Sequence, residues 1–157
     1  MDRHACPGSR TIDLRGKKNQ SEQAVGKVQS ELRQWPVQMH LISPTAPYFR
    51  GADVLLTADC VAYALGGYHP EFLKGKSLAI ACPKLDQEQK VYVEKIKSWF
   101  DDAEINTLTV MIMQVPCCTG LVQLAAQALQ QAKRKVPIRY QVVSVEGEII
   151  EEEWVDS

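Results

Sequence analysis

Residues 77–120 read SLAIACPKLDQEQKVYVEKIKSWFDDAEINTLTVMIMQVPCCTG. The stretch opens on a short apolar run, SLAIA, that stops at Cys82-Pro83. A run of that length with no polar alternation fits a strand covered on both faces. Asp86, followed three residues later by Gln89, predicts a capping box ahead of a helix. The apolar residues Tyr92, Val93, Ile96, Trp99 and Phe100 then fall on one face of that helix. Residues 106–113, NTLTVMIM, form a second apolar run, which leads to Val115-Pro116-Cys117-Cys118-Thr119-Gly120. Strand, helix, strand in this order is the βαβ unit of a parallel sheet.

The pattern repeats outward. Residues 52–58, ADVLLTA, are an apolar run bounded by Gly51 and Asp59, and a short Ala-rich helical turn follows up to Gly66-Gly67. Residues 37–42, VQMHLI, alternate and stop at Ser43-Pro44, which predicts a further strand. Downstream, Leu121, Leu124, Ala125, Ala128, Leu129 and Ala132 mark a second helix. The basic Lys133-Arg134-Lys135 suits the negative end of its dipole, and Pro137 stops it. Residues 138–145 read as the last strand and 146–157, EGEIIEEEWVDS, as an acidic tail. The expected fold is α/β: a three-layer, open, mostly parallel sheet, flavodoxin-like or Rossmann-like, with helices on both faces. Residues 1–35 read as a polar arm or linker with a short helix near 23–32, and residues 36–157 as the α/β domain.

Bulk properties narrow the function. A chain of 157 residues fits one domain with a genuine core. A net charge of −1 offers no electrostatic footprint for nucleic acid, so none is expected as a partner. No apolar run approaches the roughly 20 residues that span a bilayer, so no membrane is expected either. The start, MDRHACPGSR, lacks the apolar stretch of an export signal, and the expected location is cytoplasmic. In a reducing compartment five cysteines read as metal ligands or redox thiols before disulfides, the plain alternative being small buried hydrophobes.

Their placement favours a shared site. Cys60 follows the run 52–58, Cys82 follows 77–81, and Cys117 and Cys118 follow 106–113. If those strands are parallel and adjacent, their carboxyl ends bring all four thiols to the rim where open α/β sheets bind ligands. Soft thiolates select an iron–sulfur cluster, a [4Fe–4S] cluster among them, or zinc. Redox thiols with no metal are the alternative. The helix start after Cys118 is expected to lower thiol pKa there, as Lys84 is beside Cys82. Adjacent side chains diverge on an extended backbone, so only one of Cys117 and Cys118 is expected as a ligand. His69, in the loop after Cys60, is a further candidate ligand, against the alternative of a solvated histidine. No G-x-G-x-x-G or P-loop is present.

Several segments carry a resemblance: CPGSR (6–10), ELRQWPVQMHLISPTAP (31–47), ADVLLTADCVAYA (52–64), His69, FLKGKSLAIACPKLD (72–86) and VPCCTGL (115–121). Together they resemble the C-terminal domain of a family of 4Fe-4S ferredoxin-type iron–sulfur proteins of anaerobic bacteria and archaea. The resemblance implies iron–sulfur redox chemistry and a redox protein or ferredoxin module as partner. Its members carry a two-cluster ferredoxin module ahead of the CPGSR segment, and this sequence has none. It therefore reads as an isolated domain or a short homologue, and electron transfer through that module's clusters is not carried over. Three functions follow as expectations: a cluster- or metal-binding domain with a redox or electron-transfer role, a thiol-based redox enzyme without metal, or a non-catalytic docking domain. The last would use the acidic tail with Trp35 or Trp154.

Overall fold

A computed structural model describes residues 7–16 and 27–155. Two of the sequence expectations fall partly outside them: Cys6 of the CPGSR segment, and residues 23–26 of the predicted short helix. The remainder of that helix is not formed, since residues 27–33 carry no helix.

The first described elements are β1 (Ile12–Asp13) and β2 (Gln34–Trp35), a small antiparallel pair. The main sheet has five strands: β3 (Asp53–Ala58), β4 (Ser77–Ala81), β5 (Thr107–Met113), β6 (Ile138–Val143) and β7 (Ile149–Val155). Their order is β4-β3-β5-β6-β7, parallel throughout except for the antiparallel β7. Between them lie α1 (Val61–Ala64), a π-helical segment (Tyr68–Leu73), α2 (Gln89–Asp101) and α3 (Thr119–Gln131).

The apolar runs become the central strands because helices cover both of their faces. From Val54 to Ala58 every residue of β3 is buried. The predicted stripe of α2 is buried in full, with Trp99, Phe100, Ile96 and Tyr92 at 0% exposure. Helices α2 and α3 pack on each other along one face. The chain moves from β3 to β4 in one direction and from β4 through β5 to β6 in the other. Right-handed crossovers therefore place α1 and the π-helical segment on the opposite face. There Tyr68 Oη and Thr57 Oγ1 form a buried hydrogen bond at 3.0 Å. Lys135 Nζ donates to Leu129 O and Ala132 O, so the basic run satisfies the end of α3 directly.

Three expectations change. Residues 37–42 are not a strand. Gln38 makes a single parallel bridge to Ile80, and the chain then turns, because Lys95 Nζ binds Met39 O and Ile42 O at 2.8 Å each. The acidic tail is an edge strand, β7. Its carboxylates accept from side chains of β6: Tyr140 reaches Glu151 and Glu153, while Arg139 and Gln141 reach Glu152. Asp86 and Gln89 do not form a capping box. Helix α2 starts from Glu88 at φ 56°, and Asp86 turns back to accept the Cys82 N–H at 2.9 Å. Gln89 Nε2 donates to Pro83 O and Asp86 O, and the two residues together pin the 82–86 loop.

The outer margin of β4 is closed by the chain itself. Ile80 exchanges backbone bonds with Val37 and Met39, and Leu78 exchanges its pair with the side-chain amide of Gln34. Gln34 is fully buried and stands in for a peptide unit of a neighbouring strand. Gln34→Leu is expected to orphan Leu78 N–H and C=O, costing about 2–4 kcal/mol. Thermal unfolding should register a fall of roughly 5–12 °C. An unchanged midpoint would show that water replaces the amide.

Candidate functional site

The sheet order makes β3 and β5 the point where the chain's direction of winding reverses. In an open α/β sheet the crevice outside these two carboxyl ends is where ligands bind. Cys60 lies two residues beyond β3. Cys117 and Cys118 lie in a 3-10 turn, Pro116–Cys118, between β5 and α3. Cys82 follows β4 directly, and Asp59 N–H donates to Ala81 O at 3.1 Å, holding the ends of β3 and β4 level. All four rim cysteines are free thiols.

Three of them meet. Burial pushes the Cys118 thiol up, and the neighbouring Cys117 and Cys60 thiols push it further. A backbone hydrogen bond at Met113 opposes this. The direction is opposite to the expectation that the start of α3 would lower this thiol's pKa: Cys118 is only 8% exposed, and burial disfavours the thiolate. Of the two neighbouring thiols, Cys117 acts on Cys118 more strongly than Cys60 does. The predicted divergence of the pair assumed extended backbone, whereas a 3-10 turn keeps successive side chains closer in azimuth. Cys117 and Cys60 are exposed, so the cluster opens to solvent above a buried Cys118.

Cys82 approaches from the other side. Leu85 N–H donates to Cys82 Sγ at 3.4 Å. A Cβ on Gly120 would stand 3.2 Å from Pro83 Cβ, so the absence of a side chain there lets the 82–86 loop close on the start of α3. Beside the thiols, Asp59 Oδ1 is buried with no hydrogen-bond partner. Burial, and then the Asp86 carboxylate, push the Asp59 carboxyl above the usual carboxylate range. Asp86 itself accepts from Tyr92 Oη and from the Cys82 N–H. Lys84 is exposed.

His69 stands apart in its bonding. Its Nδ1 accepts the Glu31 N–H at 3.0 Å, and its ring meets Tyr68 edge-on. It lines an open cavity of about 310 Å³ with Val28, Gln29, Ala62 and Leu65. Among the described residues, no three His, Cys, Asp or Glu side chains stand together as a ready metal-holding group. The donor chemistry nevertheless fits a soft ion, since the groups converging on the switch point are thiols. Sequence reasoning missed the Gly120–Pro83 approach. The only trace of it in the chain is a glycine directly after Cys-Cys-Thr.

The raised pKa sets an expectation for reactivity. Cys118 stays protonated to higher pH than an ordinary thiol, so its protonated form supports the fold. That support is complete below the ordinary thiol pKa and fades as pH rises toward the folded value. In metal-free protein near neutral pH, alkylation of Cys118 should lag that of exposed Cys60 about tenfold or more. Site-resolved mass spectrometry against pH reads this directly. Equal rates would place Cys118 outside the buried position.

No helix among the described residues is long and apolar enough to cross a membrane. Residues 46–156 match the Rossmann-like domain family. An uncharacterized protein of Archaeoglobus fulgidus is 28% identical over 119 residues, which cover 76% of this chain and 83% of that protein. No solved structure matches.

Proposed function

We propose, from the premise that the chain belongs to the Rossmann-like domain family, that its thiol rim holds an iron–sulfur cluster or another soft metal and serves redox chemistry. The supporting observation is that Cys60, Cys117 and Cys118 all lie just outside the carboxyl ends of β3 and β5, with Cys60 and Cys117 both acting on the Cys118 thiol. The likeness of the segments around these cysteines to iron–sulfur proteins points the same way. Cys60, Cys117 and Cys118 would hold the group, and Cys82 completes the set from β4. When bound, an iron–sulfur cluster supplies a one-electron store; zinc in the same place would be structural. The chain's own contribution is a soft donor set, a buried anchor at Cys118 and a backbone N–H, that of Leu85, bonded to sulfur. Such bonds tune the potential of a thiolate-held group. A redox protein or ferredoxin module is the partner this role calls for.

Anaerobic reconstitution with iron and sulfide tests the reading. The expected result is stoichiometric iron and sulfide with thiolate-to-iron absorbance; tightly held zinc instead would keep the soft-metal site and overturn the redox role. A protein that retains neither metal would overturn it.

A second reading has its own observation, the vicinal Cys117 and Cys118 held in one 3-10 turn with exposed Cys60 nearby. It makes the rim a metal-free redox thiol site. One thiol alkylating far faster than the rest, in protein that retains no metal, would select this reading.

A further inference from the structure

Strand β7 leaves its outer side open. Among the described residues no strand lies beside it, and its backbone bonds run only to β6. Alternate peptide groups of a strand point away from its neighbour, so part of this seven-residue strand offers free donors and acceptors. The opposite margin of the sheet differs, because Gln34, Val37 and Met39 already close it. The side chains of β7 are open as well, with Trp154 at 59% exposure. Charge alone is enough to keep an edge solitary. An indole there adds broad apolar area that only a neighbour would cover.

The two faces of the strand differ in charge. Residues 140–155 hold five glutamates and no lysine or arginine. The register sets Tyr140 opposite Glu153 and Gln141 opposite Glu152. Glu152 is answered, since Arg139 and Gln141 both donate to it. Glu151 and Glu153 lie on the other face, and both draw on the Tyr140 hydroxyl, at 2.9 and 3.0 Å. A hydroxyl carries one proton, so only one of the two carboxylates receives it at a time. Neither has a cationic partner within ion-pair reach among the described residues. Their hydrogen bonds and charge push the Tyr140 hydroxyl up to about 12. Trp154 shares the face of Glu152, and the Arg139 guanidinium stands 5.7 Å from its ring centroid. A strand added here would meet two under-compensated carboxylates on one face and an aromatic ring on the other.

We propose that β7 is a docking edge for an extended segment of a partner protein in which lysine or arginine alternates with apolar residues. The segment joins the five-stranded sheet beyond β7. Backbone bonds supply the pairing, and the period of two sorts the side chains. Its cations fall beside Glu151 and Glu153, and its apolar residues fall beside Trp154. A lysine or arginine brings those carboxylates the donors that one hydroxyl cannot supply to both. The opposite phase would set its cations against Arg139, and an acidic strand would meet like charge, so both are disfavoured. The thiol rim plays no part in this pairing, and the proposal holds whatever the rim binds.

The probe is an end-capped peptide that alternates lysine with valine and matches the seven residues of β7 in length. Added to the isotope-labelled full chain, it should protect alternate amides of residues 149–155 from solvent exchange and leave those of α2 and α3 unchanged. A peptide of the same composition with its lysines in one block should bind at least about tenfold more weakly, since it carries the charge without the alternation. Methylating the backbone nitrogens of the alternating peptide should weaken it at least as much, because the pairing bonds are lost. Combined Glu151→Gln and Glu153→Gln substitution should weaken binding about fivefold. Glu94→Gln with Glu146→Gln, an equal loss of charge off the strand, should change it less than about twofold. No binding at about 1 mM peptide would overturn the docking edge. So would equal binding of the block or methylated peptide, a footprint away from β7, or a Glu151 and Glu153 variant no weaker than the control. Concentration-dependent protection of β7 without peptide would make the edge a self-interface and overturn it too.

Discussion

Cys118→Ser and Cys60→Ser are each expected to lower iron retention after reconstitution at least about a hundredfold. Serine keeps the size of the side chain but offers a hard oxygen that stays protonated at neutral pH, and a soft ion gains little from it. The two variants should differ in the fold. Cys60 is exposed, so its replacement should leave the unfolding midpoint unchanged, whereas Cys118 is buried against Cys117 and the end of β5. A hydroxyl there finds the Met113 hydrogen bond but loses apolar contact, at a cost of about 1 kcal/mol. Cys82→Ser is expected to lose about tenfold, since its sulfur comes from the neighbouring strand and is already bonded to Leu85 N–H. Cys117→Ser compared with Cys118→Ser decides which member of the vicinal pair is the stronger ligand. Equal retention in all four variants would show that the rim binds no metal through sulfur.

The second large effect belongs to Gly147→Ala, expected to destabilise the fold by about 3 kcal/mol. Gly147 sits in the β6–β7 hairpin at φ 88°, where an L side chain is strained, and its Cβ would collide with Ala64 O. The two costs add, because relieving the clash means moving the hairpin away from α1. Calorimetry should find the midpoint lowered by roughly 6–12 °C. Gly66→Ala is the matched control, with an ordinary φ and nothing within 4 Å of its Cβ. A Gly147→Ala midpoint equal to that of Gly66→Ala would mean that neither the backbone strain at Gly147 nor its contact with α1 is present. Because Cys60 directly precedes α1, loosening this contact should also weaken metal retention.

Continuous apolar runs made the central strands legible. SLAIA, ADVLLTA and NTLTVMIM are covered on both faces and needed no alternation to be read. The stripe of α2 was legible for the matching reason, since one face is buried and the other wet. Strand β7 was not, because three consecutive glutamates carry no period. They hold a strand only through Tyr140, Arg139 and Gln141 on β6, which the chain order does not announce. Residues 37–42 misled in the opposite direction. Their alternation is real, but Lys95, far along the chain, bends the segment after its single bridge. At the rim, strand ends predicted where the thiols would lie. The arrangement around them depends on a 3-10 turn at Pro116–Cys118 and on the Gly120–Pro83 approach, the second of which is tertiary. The environment of Cys118 went against the dipole expectation because a position next to a helix start says nothing about how deeply a side chain is buried.

The sheet's two outer margins have one more consequence. Beside β4, the outward groups of Leu78 and Ile80 are already taken by Gln34, Val37 and Met39, so no foreign strand can pair there. Among the described residues, β7 is the margin of the five-stranded sheet with no strand beside it. Head-to-tail stacking of copies through their sheets requires a donor margin and an acceptor margin on every molecule, and this one has a single margin to offer. Growth of that kind would end at a pair. Even that pair would set Glu151, Glu152 and Glu153 against their counterparts, so strand-by-strand fibre formation from the folded state is barred by connectivity first and by repulsion second.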